Sequence, residues 1–115
     1  MQVFGFTKQA LIERNYKHIY NHELAHKTAG GQYAGEINIQ KDSEGVPVSG
    51  YVPIRMPVLD RNNPQKTINH ADTVIKAALA PSDPSEQDYK VAAQAGSIKS
   101  QAQNLKSSNK LNVLA

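Results

Sequence analysis

The chain lacks cysteine and tryptophan and contains no long hydrophobic run. Without cysteine it forms neither disulfides nor thiolate metal sites, so any metal must be held by histidines and carboxylates. No stretch approaches the roughly 18 apolar residues of a membrane helix, and the first residues lack the apolar core of a signal peptide. These absences predict a cytoplasmic protein with no membrane partner.

Charge of either sign is also sparse. Thirteen lysines and arginines face ten aspartates and glutamates, which gives a net charge of +3, and the basic residues are scattered. Such weak positivity is typical of a solvated surface rather than a nucleic-acid site. The length of 115 residues suits one domain, and the small number of aromatic residues predicts a thin aliphatic core.

The residue pattern predicts an α+β fold with one helix, a β-hairpin and two further helices. The first helix should begin at Thr7, which can cap it, and end before Gly30 and Gly31. A turn signal at residues 41–45 then indicates a hairpin. Its second strand should be irregular, because two prolines each remove a ladder donor.

The last two helices have recognisable start signals. Asn63 and Asp83 are each followed by proline, so we expect Asn63 to cap the second helix and Asp83 the third. The apolar stripe of the third helix ends at Leu105. The sequence therefore predicts one domain at residues 1–105, followed by a flexible C-terminal tail at residues 106–115.

The first helix carries the motif H-E-x-x-H at His22, Glu23 and His26. Residues four apart share one helix face about 6 Å apart along the axis, so both imidazoles can bind one Zn²⁺ at about 2.1 Å. Glu23 can then take a proton from a metal-bound water. His18 lies one turn earlier, but three rings over roughly 12 Å cannot reach one ion, so His18 is excluded as a ligand.

A catalytic zinc normally has a third protein ligand, which the motif does not supply. Asp88 is favoured because it lies three residues before Val91 and extends the apolar stripe, where an inward carboxylate needs a partner. Its alternative role is to pair with a lysine or arginine, or to bond helical N–H groups. Asp72 is the next candidate. Four others are more distant possibilities: Glu36, Asp60, Asp83 and His70.

Two separated blocks resemble the SprA-related family of bacterial proteins: N-H-E-L-A-H-K-T-A-G-G-Q-Y-A-G at 21–35 and A-A-L-A-P-S-D-P-S-E-Q-D-Y-K-V-A-A-Q-A at 77–95. The resemblance implies a zinc metallopeptidase, with the H-E-x-x-H residues on the matching motif positions and Asp88 on the aspartate of the second block. One departure is Arg55, which stands where the family pattern carries an aspartate.

The sequence thus favours a zincin-like domain at residues 1–105, a zinc-dependent peptidase that cleaves peptide bonds with metal-activated water. Its expected ligands are His22, His26 and Asp88, its general base is Glu23, and its partner is a peptide or protein substrate rather than nucleic acid. The alternative is a catalytically inactive zinc-binding or protein-interaction domain of the same family.

Overall fold

The structure, a computed structural model, describes the backbone of residues 7–114 and the side chains of residues 7–109. The helices and strands are α1 (Lys8–Gly30), a 3-10 turn (Gly31–Tyr33), β1 (Asn38–Lys41), β2 (Pro47–Tyr51), α2 (Pro64–Ala78) and α3 (Glu86–Leu114). Three helices and one two-stranded antiparallel sheet make a small α+β fold, so the predicted class is confirmed.

The helix α1 begins where the sequence predicts and ends one residue later than predicted, at Gly30. The Thr7 hydroxyl accepts a hydrogen bond from the N–H of Ala10 at 3.1 Å, which satisfies a free donor of the first turn. At the other end Gly31 adopts φ +54°, and its N–H donates to the carbonyl of Lys27. A side chain would be strained at this φ, so glycine suits the position where the helix stops.

The hairpin has the predicted irregular form. Ile39 lies opposite Gly50, and a bulge disturbs the register near the turn. An isolated bridge between Ala34 and Ile54 extends the pairing beyond β2. The sheet packs against α1, and Ile54, in the chain that follows the hairpin, lies against Gly30 at the end of that helix.

The core lies mainly between α2 and α3 and consists mostly of alanine. The apolar residues with 0% exposure are Ala71, Val74, Ala77, Ala95 and Ala102. The small side chains bring the two helix backbones close together and leave little apolar area to bury, as predicted for a thin core. Lys106 donates to the Gln65 side chain, so the start of α2 lies beside residue 106 of α3.

The predicted cap of α3 is wrong. The helix begins at Glu86, and Ser85 caps it: the Ser85 hydroxyl accepts from the N–H of Asp88 at 3.1 Å, while Asp88 Oδ2 accepts from the N–H of Ser85 at 2.8 Å. This reciprocal capping box satisfies two donors. The Asp83 carboxylate is directed elsewhere, with Oδ1 at 3.6 Å from His22 Nδ1.

The helix α3 has 29 residues and continues through residues 106–114, the stretch predicted to be a tail. That stretch is therefore helical, and its flexibility stays a prediction. Within residues 7–114, no helix is both long and apolar enough to cross a membrane.

Candidate metal centre

The three motif residues form a compact cluster near the end of α1. One ligand atom from each of His22, Glu23 and His26 lies within 4.8 Å of the other two. The two imidazole rings have centroids 4.9 Å apart and planes at 75°. Glu23 and His26 are each only 6% exposed. The four-residue spacing thus places both rings on one buried face, as helical geometry requires.

Asp88 reaches this cluster from the first turn of α3. Its Oδ1 lies 3.1 Å from His26 Nε2, and its Oδ2 lies 3.2 Å from His22 Nε2. The hydrogen bond from the Ser85 N–H holds the same carboxylate in place. The carboxylate therefore faces both histidines and also accepts from the backbone N–H of the cap residue, while its role as a metal ligand stays a prediction.

The backbone of α2 fixes the proton position on His26. The Ala77 carbonyl lies 2.8 Å from His26 Nδ1, and a carbonyl can only accept, so Nδ1 carries the proton. In the neutral ring Nε2 then holds a lone pair directed at Asp88. An imidazole lone pair and a carboxylate oxygen are both acceptors, so their approach to 3.1 Å calls for a shared cation, either a proton or a metal ion.

These distances suit a tetrahedral metal. Ligand atoms about 2.1 Å from a zinc ion are separated from one another by about 3.4 Å at tetrahedral angles. The two separations between Asp88 and the histidines, 3.1 and 3.2 Å, are close to that value. Two imidazoles and one carboxylate are also a donor set that zinc accepts. The donor set therefore fits a zinc ion in chemistry, and the separation of Asp88 from each histidine is compatible with one ion between them.

Glu23 occupies a distinct position in the cluster. Burial raises the pKa of its carboxyl above the ordinary value, the charges of His26 and His22 lower it, and the charge of Asp88 raises it, with a net increase. Within residues 7–109 its carboxylate makes no hydrogen bond. No buried side-chain polar atom of the described residues lacks a partner, so the Glu23 carboxylate oxygens are accessible to solvent in the cleft that this residue lines. A carboxyl with a raised pKa in a cleft is a candidate proton acceptor.

Gly50 of β2 lies directly on Glu23. A Cβ at this position would be 2.7 Å from Ile19 Cγ2, closer than real side chains allow, and 3.1 Å from Glu23 Cγ, a tight contact. The missing side chain lets the strand cover α1 at the motif residues. Gly50 thus sets how closely the hairpin approaches Glu23.

A cleft of about 410 Å³ opens onto the cluster. Its walls come from the motif face of α1, from residues between 50 and 56, and from residues between 85 and 94. Tyr51 borders the cleft and is half exposed. The cleft is therefore formed where α1, the hairpin and α3 meet.

Of the other sequence candidates, only Asp83 approaches the cluster, on the Nδ1 side of His22, and the remaining four have partners elsewhere. His70 stacks on Tyr33, with ring centroids 3.7 Å apart, and donates from Nε2 to the Arg55 carbonyl. Asp72 pairs with Lys99 at 2.7 Å. Two further carboxylates are also engaged: Glu36 with Lys27, and Asp60 with the N–H groups of Asn62 and Asn63. His18 is exposed on α1 and is not part of the cluster.

Three features of this centre were not predicted from the sequence. The pattern Ser85-x-x-Asp88 is a capping-box signal and was available to find. The close approach at Gly50 had only a weak signal, an isolated glycine within a strand pattern. The Ala77 carbonyl had none, because every residue carries a carbonyl and only helix packing selects one.

The fold and the cluster define a small α+β protein with a candidate metal centre. The model of the SprA-related family matches residues 7–114, nearly the whole chain. The chain therefore belongs to the SprA-related family. No curated protein and no solved structure matches it.

Proposed function

We propose that this protein is a zinc-dependent metallopeptidase. His22, His26 and Asp88 hold the ion, and Glu23 is the general base. The observation that carries the proposal is the short approach between His26 Nε2 and Asp88 Oδ1, with the Ala77 carbonyl holding the proton on the other ring nitrogen. That arrangement leaves a lone pair and a carboxylate facing one position, as zinc binding requires.

A zinc ion held there would lower the pKa of a bound water toward about 7. Glu23 takes the proton of the attacking water on its carboxylate and returns it to the nitrogen of the departing amine. Burial raises the pKa of Glu23, which strengthens it as a base near neutral pH. Gly50 packs beside this side chain, and both residues line the cleft.

The chain beside the cleft supports a peptide as substrate. The N–H of Gly35 donates to the Pro53 carbonyl, and the N–H of Arg55 donates to the Tyr33 carbonyl. Ile54 lies between these two hydrogen bonds, so its own N–H and carbonyl point away from residues 33–35, along the unpaired edge of this segment. Within residues 7–114 the backbone of Ile54 has no hydrogen-bond partner. An extended peptide can pair with such an edge through its main chain.

The test is zinc analysis and peptide cleavage on the wild type and on Glu23→Gln. We expect both proteins to bind one zinc ion per chain, because Glu23 is not a ligand. Cleavage by the variant should fall by about 10²- to 10⁴-fold, the usual contribution of a general base. Equal cleavage by both proteins would refute Glu23 as the base.

One observation favours a second candidate, a non-catalytic zinc-binding domain. No lysine or arginine is among the described residues that line the cleft. Neutral donors such as Tyr51, Gln87 and Gln94 would therefore have to stabilise an oxyanion, besides the metal itself. Stoichiometric zinc in a wild-type protein that cleaves no peptide of a diverse library would support this candidate.

A further inference from the structure

A second cavity, of about 590 Å³, lies between the segment that follows the hairpin and the first two turns of α2. Three cationic side chains line it, those of Arg55, Arg61 and Lys66. The only acidic residue among its described walls is Asp60, and this carboxylate already accepts hydrogen bonds from two backbone N–H groups. The cavity is therefore positively charged.

The cationic side chains have no acidic partner within residues 7–109. Neither Arg61 nor Lys66 forms a salt bridge there. The Arg55 guanidinium lies 5.5 Å from the centre of the Tyr33 ring, a neutral partner that leaves its charge uncompensated. All three residues are exposed to solvent and available to an external anion.

The walls of this cavity are held by side chains of α2. Thr67 is 2% exposed, and its hydroxyl donates to the Val58 carbonyl at 3.1 Å and accepts from the Asp60 N–H at 2.8 Å. His70 donates to the Arg55 carbonyl at 2.8 Å. Two side chains of one helix thus fix both ends of the segment, so the cations belong to a preformed surface.

The apolar residues at the cavity indicate what kind of anion fits. Val58 is 82% exposed, and Met56 and Leu59 also line the cavity. Carboxylates placed next to aliphatic side chains match this mixture of cations and apolar groups. Single-stranded nucleic acid fits less well, because its bases need free aromatic faces, and the only aromatic ring here, that of His70, is stacked on Tyr33.

We propose that this cavity binds an acidic segment of a polypeptide, with its carboxylates paired to Arg55, Arg61 and Lys66 and its aliphatic groups on Val58. Met56 lines both this cavity and the metal-centre cleft, so the bound segment lies next to the candidate active site. The proposal requires neither zinc nor catalysis, and it stands or falls independently of the peptidase function.

The test measures binding by fluorescence anisotropy, with a labelled peptide of alternating glutamate and valine and a matched peptide of glutamine and valine. The full chain is used as wild type, as Arg61→Gln/Lys66→Gln, and as the control Lys41→Gln/Lys76→Gln, which removes the same charge elsewhere. We expect the glutamate peptide to bind the wild type and the control with equal affinity. Its affinity for Arg61→Gln/Lys66→Gln should be about 3- to 10-fold weaker, as expected for the loss of two partly exposed ion pairs.

Backbone amide NMR shifts locate the peptide. Shifts caused by the glutamate peptide should fall within residues 55–70. Equal loss of affinity in the control, equal binding of the glutamine peptide, or shifts confined to other residues would overturn the proposal. Tighter binding of a single-stranded oligonucleotide than of the glutamate peptide to this cavity would also overturn it and would indicate a nucleic-acid site.

Discussion

Replacement of Asp88 by asparagine should separate zinc binding from folding. The asparagine oxygen can still accept from the Ser85 N–H, and its amide can donate to an imidazole lone pair, so the capping box and the contacts are retained. The negatively charged carboxylate that is proposed to bind zinc is replaced by a neutral amide. We therefore expect the metal-free variant to match the wild type in stability to within about 0.5 kcal/mol, and zinc affinity to fall by about 100-fold or more.

The magnitude follows from linkage between binding and unfolding. At a free zinc concentration about 100 times the wild-type Kd, zinc stabilises the wild type by about 2.7 kcal/mol. If the Kd of the variant is about 100-fold weaker, the same zinc concentration stabilises it by only about 0.4 kcal/mol. For a chain of this size about 1 kcal/mol shifts Tm by about 4 °C, so the two proteins should differ by roughly 9 °C with zinc and by about 2 °C or less without it.

The assay is thermal unfolding at buffered free zinc concentrations, with and without a chelator. The control is Asp72→Asn, which breaks the Lys99 ion pair on the outside of the α2–α3 packing and should shift Tm equally with and without zinc. A zinc-dependent rise in the Tm of Asp88→Asn equal to that of the wild type would show that Asp88 is not a ligand.

Three further predictions concern neighbouring positions. Burial raises the pKa of Glu23, so ionisation of this carboxyl costs folding free energy. Metal-free Glu23→Gln should therefore be more stable than the metal-free wild type at neutral pH. This difference in stability should disappear in acid, where both side chains are neutral. Denaturant unfolding across pH checks this, and a constant difference at every pH would contradict it. Gly50→Ala should lose about 1–3 kcal/mol from the clash with Ile19 and Glu23, whereas Gly96→Ala, which meets nothing within 4 Å in α3, should gain about 0.5–1 kcal/mol. Equal denaturant midpoints for these two variants would refute the close approach at Gly50. Ser85→Ala should cost about 0.5–2 kcal/mol through the lost hydroxyl cap but leave zinc affinity unchanged, because the backbone N–H of residue 85 still donates to the Asp88 carboxylate. Calorimetric zinc titration beside Ser97→Ala, an exposed α3 serine, measures the second effect, and a clearly weaker zinc affinity for Ser85→Ala than for Ser97→Ala would refute it.

The sequence alone determined the features that depend on a few neighbouring residues. The Thr7 cap and the glycine stop fix α1, and the four-residue spacing of His22 and His26 places both rings on one face, because helix geometry repeats every 3.6 residues. The apolar stripe of the last helix pointed Asp88 inward for the same reason. The α+β class followed from the order of these local signals.

Packing between elements decided the rest. Asp83 and Ser85 are both acceptable caps by sequence, and the choice of Ser85 rests on Asp88, which can bond Ser85 while it faces the histidines of α1. The Ala77 carbonyl sets the proton of His26 only because α2 crosses α1 at that residue. Long-range contacts of this kind depend on how whole helices meet, and no local residue pattern encodes which carbonyl or which glycine will lie at the crossing.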